Sequence, residues 1–223
     1  MQPREAPIPA GAGESARPLW TAVSRVDRAP ALVLGAAGLA LYNWWLVVGL
    51  DQRLPSINSL FSEVSANGQP HAIVFQRLDI VAGLLLLAAL VLRGPIAAGG
   101  PSRVLRVSMI VWAGASAFGG LFPFACAPTT EAGCQSAQWH FQLPAHHYLH
   151  MIAGVSEFAG VTVAILAAAR MERLARLGKV LTVVLIVAYP LLAAAYLSEH
   201  LGSLVEPIFF VVFTVTAATA LLV

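Results

Sequence analysis

Residues 72–92 read AIVFQRLDIVAGLLLLAALVL, an apolar run interrupted only by Gln76, Arg77 and Asp79. At about 1.5 Å of rise per residue, a helix of this length crosses a hydrocarbon core about 30 Å thick. The run is too long and too uniformly apolar for one face of a soluble helix, so the bilayer is its solvent. Working outward in both directions, comparable runs lie near 31–50, 104–124, 146–169, 180–198 and 205–223. Six crossings follow, and with them an all-α integral membrane bundle.

The charges between the runs alternate in sign and kind. Arg4, Arg17, Arg25, Arg28, Arg93, Arg103, Arg106, Arg170, Arg173, Arg176 and Lys179 fall on the side of the amino terminus, and only Arg53 and Arg77 lie opposite. Cytoplasmic loops collect Lys and Arg, so both termini are expected inside, in a cell membrane. His71, His140, His146, His147, His150 and His200 then gather at the outer face. A hydrophobic fraction of 58% with 11% charged residues excludes an ordinary soluble domain and a disordered chain. The mean hydropathy of +0.77 agrees. The net charge of +2 is loop arginine that meets acidic lipid headgroups, so lipids rather than nucleic acid are the expected partners. Residues 1–30 are rich in Pro, Ala, Gly and Arg without an apolar core, as in a flexible cytoplasmic tail rather than a signal peptide. Residues 31–223 form the membrane domain.

Several outer features carry polar chemistry. Cys126 and Cys134 share the loop after the third run, on the side where oxidation persists, and a disulfide is expected. Trp44 and Trp45 near the outer end of the first run read as headgroup anchors. Leu60, Phe61 and Val64 are spaced for a short helix lying at the interface. Asn67-Gly68 marks a turn, and Gly114, Ser116, Gly119 and Gly120 predict close helix approach. Ser156 is expected to bond its own helix backbone. His146 and His150 stand four apart on one helix face, the spacing by which two imidazoles hold a divalent cation, with Glu157 two turns deeper. Asp79 lies at a comparable depth on the second run. Ionised carboxylates in hydrocarbon cost several kcal/mol, so Asp79 and Glu157 must be paired, hydrated or protonated, with Arg77 expected to pair with an acid of another span.

Ser62-Glu63, Gly68-Gln69-Pro70-His71, Phe75, Asp79, the two cysteines, the His-rich start of the fourth run, Gly202 and Glu206 together resemble the bacterial membrane proteins grouped as domain of unknown function 998. That resemblance implies a six-helix membrane protein and transfers no catalytic residue. Ser62, Asp79, His146 and His150 are also similar in kind to the zinc-centred set of the alkaline ceramidases and adiponectin receptors, which have seven core spans and another motif order. Three functions are compatible with the sequence. The first is a hydrolase or transferase acting on a lipid or lipid-linked substrate at the outer leaflet. There His146 and His150 would hold zinc with His71 or His140, Asp79 or Glu157 would handle the attacking water, and Ser62 beside Glu63 is a candidate nucleophile. The second is a small proton-coupled permease whose acids line the pathway, a reading that broken helices would favour. The third is a non-catalytic scaffold, in which protein contacts neutralise the acids.

Overall fold

The computed structural model describes residues 28–50, 57–93 and 100–223. The tail expected over 1–30, and the positions of Arg4, Arg17, Arg25 and Arg53, lie outside them apart from Arg28, Ala29 and Pro30. The described chain is all-helical. The spans are α1 (Ala29–Tyr42) continued by α2 (Trp45–Leu50), then α3 (Ala72–Leu92), α4 (Gly100–Leu121), α6 (Ala145–Ala168), α7 (Ala175–Ser198) and α8 (Gly202–Leu222). A 3₁₀ turn (Phe61–Ser65) and the short α5 (Cys134–Trp139) cap one end. All six spans are long and apolar enough to cross a membrane.

Each span packs on the next in sequence, and α8 returns to α1, so the six helices close a ring with α8 leaning inward onto α4 and α6. The core inside it is built on Trp112, Phe209, Leu86, Leu90, Met109 and Ile165, all fully buried. Lipid tails are as apolar as leucine, so helix association rests on close packing, which small residues permit. Gly83 and Gly120 do this between α3 and α4. A methyl group on Gly83 would meet the Ala117 amide nitrogen at 2.6 Å, and one on Gly120 the Gln76 carbonyl at 2.6 Å. Of the other residues expected to serve close packing, Gly114 faces open space, while Ser116 and Gly119 border a cavity.

The first span is broken, which its sequence did not announce. The break falls at Asn43, whose side-chain amide donates to Leu39 O at 2.7 Å beside its own backbone N–H and to Thr214 Oγ1 on α8 at 3.0 Å, while the Trp44 amide turns to Leu41 O instead of continuing the helical ladder. The chain restarts at Trp45 with both indoles turned inward. Trp44 and Trp45 are therefore buried rather than headgroup anchors, since their N–H groups find polar partners inside the bundle: Asp79 Oδ1 at 2.7 Å and Asn43 Oδ1 at 2.9 Å. The turn at 61–65 departs from expectation in the same direction. It forms, but Phe61, Glu63, Val64 and Ser65 are buried under the cap instead of lying at the interface.

The cap is tied together by polar contacts. Cys126 and Cys134 stand at disulfide distance, with Cα atoms 6.1 Å apart. Glu63 accepts from Thr129 N at 2.8 Å and from Thr129 Oγ1 at 2.5 Å, which fastens the 3₁₀ turn to the disulfide loop. Its carboxyl is pushed above the ordinary range by burial, against the two Thr129 bonds that favour the ionised form.

Candidate functional site

Beneath the cap, where the first span breaks, lies a cavity of about 60 Å³ lined by residues of six elements. Asp79 comes from α3, His150 and Glu157 from α6, Ser116 and Gly119 from α4, Ser62 and Ser65 from the 3₁₀ turn, and Phe210 from α8, with Tyr42 and Trp44 at the break. Three residues predicted as catalytic, Ser62, Asp79 and Glu157, thus meet in one place with one predicted ligand, His150. Among the described residues, no arginine or lysine lines the cavity.

The partners of the two acids differ. Asp79 accepts the Trp44 indole N–H, while Arg77, two residues away, faces outward on α3, so the indole and not a guanidinium meets this carboxylate. Glu157 turns toward the same space as His150: at Gly119, one point lies 3.8 Å from both Glu157 Oε1 and His150 Cε1. The hydroxyl of Tyr42 is buried at the cavity wall with no hydrogen-bond partner among the described residues. A buried hydroxyl facing a polar cavity is ordinarily satisfied by water or a small polar occupant.

The histidines take separate partners from distant parts of the chain. Gly119 O would receive the amide of residue 123 in a continuing helix, but that residue is proline and has none. His150 Nδ1–H takes its place, donating to Gly119 O and Phe122 O at 3.0 Å each. Since both partners are acceptors, the proton sits on Nδ1, and Nε2 is left as the basic nitrogen. His146 turns the other way, its Nε2 lying 3.4 Å from Asn67 Nδ2. His140 donates to its own helix at Ser136 O, 2.7 Å away, and both it and His71 are exposed. His146 and His150, expected to share a cation, thus hold different partners, Asn67 for one and the Gly119 and Phe122 carbonyls for the other. Among the described residues no three His, Cys, Asp or Glu side chains group as a cation site.

Two residues were undervalued in the sequence. His147 is fully buried, with Nδ1 accepting from Ala125 N at 3.2 Å and Nε2–H donating to Gln138 Oε1 at 2.9 Å. Gln138 in turn donates to Tyr196 Oη at 2.6 Å, which locks α5 onto α6 and α7. It is a structural histidine, not an interfacial one. Glu206 on α8 accepts the amides of Phe61 and Ser62. Its position next to Pro207 in an apolar run was the available signal. Ser156, as expected, bonds its own helix at Ile152 O, 2.8 Å.

Fold and cavity define a polytopic, all-helical membrane protein with an acidic cavity inside the bundle. The chain belongs to the family described as Protein of unknown function (DUF998), which matches residues 34–223. No curated protein and no solved structure matches it.

Proposed function

We propose that this protein is a small proton-coupled permease in which Asp79 and Glu157 take up and release the coupling proton. The observation that carries the reading is that two carboxylates from different spans share one cavity with no arginine or lysine among the described lining residues, beside a broken helix. Carboxylates inside a membrane mark ion and proton pathways, and interrupted spans recur at transporter binding sites. Size points the same way. Sites for drug-sized ligands enclose about 300–1,000 Å³, so a cavity of about 60 Å³ suits protons, water or a small cation and not a lipid headgroup. The protein sits in the plasma membrane with its arginine-rich end inward, so the capped end and its cavity face the exterior.

The test is proton flux into proteoliposomes under an inside-negative potassium diffusion potential, read with an internal pH dye. Wild type acidifies the lumen. Asp79→Asn and Glu157→Gln each slow this by about tenfold or more, since each leaves a path without its titrating group. Equal flux in wild type and both variants overturns the reading.

One observation favours a second reading: Ser62, Asp79 and His150 line the same cavity, as a hydrolase acting on a lipid-linked substrate at the outer leaflet requires. Zinc would then have to be held by His150 with His146, His71 or His140, which requires these side chains to leave their present partners. Covalent labelling of Ser62 by a fluorophosphonate, lost in Ser62→Ala, would favour this chemistry, and stoichiometric metal lost in His146→Ala/His150→Ala would favour its metal-assisted form.

A further inference from the structure

The cavity is bordered on its capped side by a turn that two carboxylates fasten, one to the disulfide loop and one to α8. Glu63, within the turn, reaches up to Thr129 of the disulfide loop. Glu206, one turn into α8, reaches across from the bundle and accepts the Phe61 amide, with the Ser62 amide at 3.3 Å. The segment held this way supplies Ser62 and Ser65 to the cavity, and Ser65 is 2% exposed. The next turn of α8 adds Phe210, which stacks on Trp45 with ring centroids 5.5 Å apart. Helix α8 thus sets the cavity's wall and, through one side chain, its roof.

Among the described residues the charge environment of Glu206 is one-sided. Glu63 faces it from the turn, Glu157 from α6 and Tyr42 from α1, with Asp79 of α3 adjoining Glu157. Its favourable contacts are hydrogen bonds from the turn, which suit an acceptor-only carboxylate. Protonation of Oε1 takes that oxygen from the Ser62 amide and leaves Oε2, which faces both amides, as a neutral acceptor, so the grip on the turn loses the charge that strengthens it.

We propose that Glu206 is the positioning residue of an outer gate: ionised, it holds the 3₁₀ turn down over Asp79 and Glu157, and on protonation its hold on the Phe61 and Ser62 amides weakens so that the turn lifts and the cavity opens to the capped side. This deepens the proton-coupled reading and rests on it for its purpose. It orders the events, with the proton arriving at Glu206 before the cavity acids are exposed.

Among the described residues no cysteine is free, so one introduced thiol reports the gate. The probe is a charged methanethiosulfonate reacting with Ser65→Cys in purified protein from neutral to acidic pH. Each rate is divided by that of Ser136→Cys, exposed on α5, to remove thiol ionisation. With Glu206 present, the normalised rate rises by about tenfold on acidification, as expected for loss of one charged hydrogen bond. Glu206→Gln, which mimics the neutral acid, labels fast at every pH. Glu206→Asp, which keeps the charge, retains the step and guards against an effect of misfolding alone. A rate without a pH step in the parent, or a step unchanged in Glu206→Gln, overturns the gate. Because labelling needs no flux, a Glu206-dependent step in protein without Asp79-dependent proton flux would leave the gate standing and remove the permease, and the converse result would do the reverse.

Discussion

Asp79 shows how a single carboxylate is accommodated inside a bundle with no salt bridge among the described residues. The Trp44 indole lies 2.7 Å from it, and the ring is held by Phe75 at a centroid distance of 4.6 Å. Trp44→Phe keeps most of the packing and removes the donor, so thermal unfolding in detergent should show a loss of about 1–3 kcal/mol. The same change made on Asp79→Leu should cost much less, because no buried acceptor is then left without its partner. Equal losses in both backgrounds would mean that the indole acts by packing alone. Glu63, outside the spans, carries the pH dependence. Its folded pKa lies above the unfolded value, so the stability it contributes is full below the ordinary carboxylate range and falls as pH rises through the folded pKa. Wild type and Glu63→Gln should therefore melt at similar temperatures in acid, with wild type losing ground as the pH is raised. A gap that is constant with pH would refute this.

At the scale of elements, close approach between α3 and α4 sets the frame on which the cavity depends. Gly83→Ala puts a methyl 2.6 Å from a backbone nitrogen of α4, and the helices must part. The expected cost is about 1–3 kcal/mol in detergent unfolding. Gly114→Ala, on the same helix as that nitrogen, has nothing within 4 Å and should be neutral or slightly stabilising. The cap is a second element-scale unit. Opening the short loop between Cys126 and Cys134 by replacing both with serine should cost about 2–3 kcal/mol, read from the same melts. Because Thr129 sits in that loop, the Glu63 pH dependence should also weaken in the double variant.

Across the whole molecule, alternating spans collect arginines at one end and the cap at the other, which makes orientation a measurable property. A membrane-impermeant maleimide should modify Ser136→Cys on α5 in intact cells, while Glu172→Cys, exposed between α6 and α7, should react only after permeabilisation. The opposite pattern would invert the bundle and turn the cavity toward the cytoplasm. The permease and gate readings would then need a proton from inside.

The six crossings were legible because hydrocarbon demands about twenty apolar residues per span, a local property that a sequence displays directly. Asp79, Glu157, Ser62 and the cysteine pair were legible for a related reason: polar groups in or beside such runs are costly and stand out. Partner choice was not. Helical spacing placed His146 and His150 on one stripe, yet Pro123, remote in sequence, leaves the Gly119 carbonyl open and draws His150 away, while His146 turns toward Asn67. The break at Asn43, the inward turn of Trp44 and the grip of Glu206 on the 3₁₀ turn likewise depend on Thr214, Asp79 and Phe61, each far along the chain. Composition and periodicity by themselves determined a six-helix membrane bundle with acids inside it, because solvation acts residue by residue. Only the tertiary structure decided which of those acids and imidazoles share a cavity, because a hydrogen bond goes to whichever unsatisfied group the packing of other helices brings within reach.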